Sequence, residues 1–174
     1  MTLRVTRSLL LFAASFLLFP GCDTSDPEPP VEPAEVAGVY DFQEFRFNPD
    51  PQFVPDVVVL DTLVLERTSI ELLDSGQFQF RYRLDGGLDN IINGTFTVSE
   101  EEVVLAFESG FAARLRALLL DPTLRFNRVS SELLRLSRSK EVDLEAYSED
   151  YRDTGLDLTE VRGLLEVELR RQGR

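Results

Sequence analysis

Gln77-Phe78-Gln79-Phe80-Arg81-Tyr82-Arg83-Leu84 is the stretch whose reading decides the fold class. Phe78, Phe80, Tyr82 and Leu84 alternate with Gln77, Gln79, Arg81 and Arg83. An extended chain with that period of two has one aromatic face and one amide and cationic face. A sheet packed on one side and wetted on the other requires this alternation. Asp74-Ser75-Gly76 turns the chain into the stretch, and Asp85-Gly86-Gly87 turns it out again.

Similar short runs lie on both sides. Downstream, residues 91–98 read as a strand, and Glu100-Glu101-Glu102 leads into another at 103–107. Upstream, residues 57–66 and 69–73 are strand candidates. Gly38-Val39-Tyr40-Asp41-Phe42 starts an aromatic strand that Phe45-Arg46-Phe47 continues, and Asn48-Pro49-Asp50-Pro51 ends it. The apolar parity shifts between Phe42 and Phe45, which predicts a bulge there. Helical spacing occurs once: Phe111, Leu115, Leu118 and Leu119 form an apolar stripe that Asp121-Pro122 terminates. Strands resume at 123–129, 133–137, 142–147 and 165–170. Eight or nine sequential antiparallel strands and one short helix close most simply into an up-and-down β-barrel, which leaves no exposed edge. A two-sheet β-sandwich is the alternative.

Composition restricts the chemistry. The 174 residues contain no histidine, no tryptophan and a single cysteine, and carry a formal charge of −13. Such a surface repels phosphate backbones, so a nucleic-acid partner is not expected. Without histidine there is no Ser-His-Asp triad, no imidazole base and no common zinc or haem site. Carboxylates, tyrosines, arginines and the only lysine, Lys140, are what remains for catalysis. An enzyme is not the expected reading, and no catalytic residue, metal ligand or cofactor is assigned. Asp153-Thr154-Gly155 matches the aspartic-protease triplet, but it has no second copy and follows no apolar strand, so it reads as a turn.

Arg4 and Arg7 precede an apolar run from Leu9 to Phe19, about a dozen residues, shorter than the roughly 20 needed to span a bilayer. Residues 1–21 therefore read as a secretion signal. Leu18-Phe19-Pro20-Gly21-Cys22 resembles a lipobox, in which a small residue precedes the cysteine that receives diacylglycerol. That resemblance implies a bacterial lipoprotein anchored to a membrane through Cys22. Its location would be the cell envelope, at the outer membrane in preference to the inner. Cleavage there leaves 153 residues and, by removing Arg4 and Arg7, takes the charge from −13 to −15. Residues 22–35 are rich in proline and acid and read as a disordered tether, able to span about 40 Å at ~3.1 Å per residue. Residues 36–174 form the folded domain.

Within that domain, Gly38-Val39-Tyr40 resembles the Gly-x-Trp motif on the first strand of the lipocalins, with Tyr40 at the aromatic position. The resemblance extends in strand order over residues 36–171. It implies an arginine near the last strand packed across the aromatic ring, Arg170 or Arg162 here. It also implies an apolar cavity for a small hydrophobic ligand or lipid. Phe78, Phe80 and Tyr82 would line its wall, and Tyr40 and Phe42 would close its floor. The competing reading is a structural or protein-interaction module of the envelope, in which the same aromatics fill a solid core.

Overall fold

The structure is a computed structural model, and it describes residues 31–173. The signal segment and Cys22 lie outside the described residues. Nine strands run in chain order: β1 (Gly38–Pro49), β2 (Val57–Val58), β3 (Ser69–Leu72), β4 (Gln77–Arg83), β5 (Asp89–Val98), β6 (Glu102–Phe107), β7 (Thr123–Arg128), β8 (Leu133–Val142) and β9 (Val161–Arg171). From β3 onward each strand pairs antiparallel with the next, β1 pairs with β3, and β9 returns to pair with β1. The result is a closed eight-stranded antiparallel barrel, with β2 as an extra strand along the upper part of β1.

Alternation directs the side chains. Along β4 the exposed or half-buried Gln77, Gln79, Arg81 and Arg83 alternate with buried Phe78, Phe80 and Tyr82. On β9, Val161, Leu165, Val167 and Leu169 point inward, and the even-numbered positions between them point outward. The bulge in β1 falls where the parity shift places it, with the β1–β9 register slipping between Phe42 and Glu44. That slip lets Tyr40 and Phe42 on one side, and Phe45 and Phe47 on the other, all enter the core.

Two segments differ from the sequence reading. Residues 57–66 form only the two-residue β2 before turning through 3-10 segments at Val59–Thr62 and Leu65–Arg67. The edge of β1 that β2 joins is taken lower down by β3, so no ladder is available for a longer strand. Residues 133–137 and 142–147 are not two strands. β8 runs unbroken through the polar Arg138-Ser139-Lys140-Glu141, and Leu144–Tyr147 is a turn of helix, α2. Asp143 caps α2 by accepting a hydrogen bond from the Ala146 N–H at 2.9 Å.

The two ends of the barrel are built differently. At one end the chain enters through a 3-10 turn at Pro33–Glu35, inside the stretch read as tether, and Val36 is buried beneath β1. Short turns join β3 to β4, β5 to β6 and β7 to β8 at this end. The opposite end carries the longer connections: the β1–β2 loop, helix α1 (Ala112–Arg116) before β7, and α2 with a 3-10 segment (Glu149–Thr154) before β9.

Glycine sets how closely the walls approach. A Cβ at Gly94 on β5 would overlap the Ala106 carbonyl and the Phe78 ring. Overpacking of this kind costs roughly 1–3 kcal/mol. Gly94→Ala is therefore expected to lower the midpoint of a urea melt, with a loss of unfolding free energy in that range. Gly173→Ala, at a position with open space around it, should leave the midpoint unchanged.

Candidate ligand site

The five aromatics singled out from the sequence lie inside the barrel. Phe42, Phe80 and Tyr82 form a run of ring contacts, with centroids 5.7 and 5.1 Å apart. Phe78 meets Phe107 edge-on at 5.1 Å, and Phe42 stacks on Phe45 at 5.5 Å. Offset and edge-on arrangements at these separations are favourable for aromatic rings. Tyr40 lies at the end where the chain enters, and its hydroxyl donates to the Val36 carbonyl at 2.8 Å. Burial pushes its phenol pKa up, against the pull of the nearby Arg171 and Arg128 guanidinium charges. Phe42 also lines a shallow surface cleft beside Leu65 and Ser69.

The arginine beside Gly38-Val39-Tyr40 is Arg171, not Arg170 or Arg162. Arg171 has the inward parity of β9 and donates to the Ala37 carbonyl, lying directly against Gly38. Arg170 and Arg162 have the outward parity; Arg162 pairs across the surface with Glu141 at 3.2 Å.

A cleft of about 400 Å³ opens at the opposite end, between α1 with its following loop and the β8–α2 segment. Ala112, Ala113, Ala117, Val142, Ala146 and Tyr147 supply apolar and aromatic surface, and Lys140, Arg116, Asp121, Glu141 and Asp143 supply charge of both signs. Its size is at the small end of the range for ligand pockets. None of Tyr40, Phe42, Phe78, Phe80 and Tyr82 lines it.

The local backbone explains the polar corner. After α1 the chain closes with Leu120 N–H donating to Leu115 O at 2.8 Å and Leu119 N–H to Arg116 O at 2.9 Å. This is the bond pattern of a Schellman cap, whose left-handed position usually holds glycine. Leu119 occupies it with φ 55°, at a cost of about 1–2 kcal/mol. Its side chain is buried in the core, which offsets part of that cost. The strained turn aims the Leu119 carbonyl at Lys140, whose ammonium donates to it at 2.8 Å and to Asp121 Oδ1 at 2.8 Å. Arg138 donates from Nη2 to the other oxygen of Asp121. One carboxylate thus serves two cations. The Arg138 Nε is buried without an acceptor. Lys140 is nine-tenths buried, and desolvation lowers its pKa against the opposing pull of Asp121.

The sequence did carry a signal for this corner. Leu134, Leu136, Arg138, Lys140 and Val142 share the inward parity of β8. Cations at inward positions mark where a strand leaves the core, and one of them is the only lysine in the chain. No family model matches the chain, and no curated protein matches it.

Asp121→Asn removes the charge shared by Lys140 and Arg138, and leaves a desolvated ammonium beside a guanidinium. The variant is expected to lose about 1–3 kcal/mol in urea denaturation. Adding Lys140→Met to it should recover part of that loss. Additive effects in the double-mutant cycle would show that the pair is not coupled.

Proposed function

We propose that this chain is a membrane-anchored envelope lipoprotein, held by lipid on Cys22, whose lipocalin-like barrel binds a small, largely apolar ligand without catalysis. The reading rests most on the contrast between the barrel's ends. One end is closed by the incoming chain and tight turns, and the other carries helices around an open, mostly apolar cleft. Barrels hold small ligands at such mouths because the closed sheet supplies a rigid wall while the longer connections shape the site. The tether would join at the closed end, so the open end would face away from the anchored membrane.

A second reading, a non-catalytic interaction module with a solid core, is favoured by two observations. Rings in mutual contact occupy the interior where a deep cavity would lie. Phe53, Leu84, Leu88 and Ile91 are exposed around the helix-bearing end, with Phe53 70% and Leu88 85% accessible. Exposed apolar side chains gathered at one end suit a protein partner.

Native mass spectrometry of the mature chain carrying Cys22→Ser, purified without detergent, separates the two readings. A small molecule that co-purifies and leaves on denaturation is the expected result. A clean apo mass, with no uptake of hydrophobic fluorescent probes, would overturn ligand binding in favour of the interaction module. For the anchor, Cys22→Ser is expected to abolish metabolic palmitate labelling and to move the protein to the soluble fraction. Retained label would overturn the assignment of Cys22.

A further inference from the structure

Two cations line the α1–α2 cleft, Lys140 and Arg116, and a third, Arg138, lies behind Asp121. Lys140 has three N–H donors, and two are engaged, by Leu119 O and Asp121 Oδ1. The Arg138 Nε is buried without an acceptor although its Nη2 already bonds Asp121. Arg116 stands at the rim with no ion-pair partner among the described residues. A buried donor left unpaired normally costs on the order of 1–3 kcal/mol.

Glu141 and Asp143 also line the cleft, but their contacts lie elsewhere. Glu141 pairs with Arg162 on the outer face, and the Asp143 carboxylate is engaged as the cap of α2. Asp121 is thus the one carboxylate bonded to Lys140 and Arg138. The wall beside this corner is made of small side chains, Ala112, Ala113, Ala117 and Ala146, with Tyr147 at its edge.

We propose that the α1–α2 cleft binds a small monocarboxylate with a compact apolar body, its carboxylate held by Lys140 and Arg116. This rests on the ligand-binding reading of the barrel and names both the site and the ligand class. The acid takes over Lys140, which releases Asp121 Oδ1. Asp121 can then turn both oxygens to Arg138, one to Nη2 and one to Nε, in the side-on pairing that a guanidinium favours. The unpaired Nε is thus the vacant half of a two-pronged contact that the ligand completes indirectly. The compact body lies along the alanine methyl groups. Leu119, held in its strained turn, keeps its carbonyl on Lys140 and fixes the ammonium in place.

The test is calorimetric titration of the mature Cys22→Ser chain with 3-phenylpropanoate and with its isosteric amide, alongside NMR observation of the Arg138 Nε–H resonance. The expected result is saturable binding of the acid, at least tenfold weaker binding of the amide, and a shift of the Arg138 Nε–H on saturation. Lys140→Met should weaken acid binding at least tenfold. Ala113→Leu fills the cleft from an exposed position that the fold does not depend on, and should do the same. Equal binding of acid and amide, both lost in Ala113→Leu, would overturn the acid-head assignment while leaving an apolar ligand site standing. Acid binding that Ala113→Leu does not affect, or no binding of the acid at all, would overturn the cleft as its site. The ligand-binding reading itself would then stand or fall on whether a small molecule co-purifies.

Discussion

The ladder between β1 and β9 joins the two ends of the folded chain, and the rest of the architecture depends on it. It runs from Tyr40 opposite Arg171 to Pro49 opposite Gly163, and Arg46 meets Glu166 across 120 residues of sequence. Bringing such distant segments together costs chain entropy, which local turns cannot offset. The inner face of the ladder supplies the compensation: Phe42 lies opposite Leu169, Phe45 opposite Val167 and Phe47 opposite Leu165, all buried. Gly163 permits the closest approach, since a side chain there would overlap Phe47 and the Asn48 carbonyl. On the outer face, Glu166 accepts from Arg46 at 2.9 Å and from Asn48 at 2.6 Å. A half-exposed contact of this kind fixes register more than it adds stability.

Closure has a consequence for the site. Once every strand of the barrel has two neighbours, the chain can vary only at its ends. The end where the chain enters is filled by Val36, Tyr40, Arg128 and Arg171. The other end is free to carry α1, α2 and the long loops, and there the inward side chains of β8 change from Leu134 and Leu136 to Arg138 and Lys140. Asp121, placed by the Schellman turn after α1, meets those cations. The polar corner is therefore a product of topology. It forms where an inward-facing strand emerges from the apolar interior under a helix cap.

Much of this was legible in the sequence, for physical reasons that differ by segment. β4 and β9 were readable because a half-buried sheet imposes a strict period of two, and the β1 bulge because it breaks that period in one place. The segments that misled were those where burial and periodicity part company. Residues 57–66 are apolar enough for a strand, yet the neighbouring edge of β1 is occupied, and pairing partners cannot be read from local pattern. The sequence of β8 reads as two strands because Arg138 and Lys140 interrupt the apolar alternation at the point where the site forms. The same interruption hid the cleft: its elements lie at 112–122 and 140–147, and its contacts are long-range. The alternation of Leu165, Val167 and Leu169 extends to Arg171, so the inward arginine beside Tyr40 was legible in the parity of β9, one residue beyond Arg170.

The central claim is that the β1–β9 ladder closes the sheet and opens only when the whole barrel unfolds. Native-state hydrogen exchange, read amide by amide across β1 and β9 under increasing denaturant, tests it directly. The account predicts that the inner-ladder amides merge with those of β4 and β5 into one global opening with the same free energy. Exchange of the β1–β9 amides through a separate opening of lower energy, while β4 and β5 stay protected, would contradict it. The molecule would then be an open sheet whose ends only rest together.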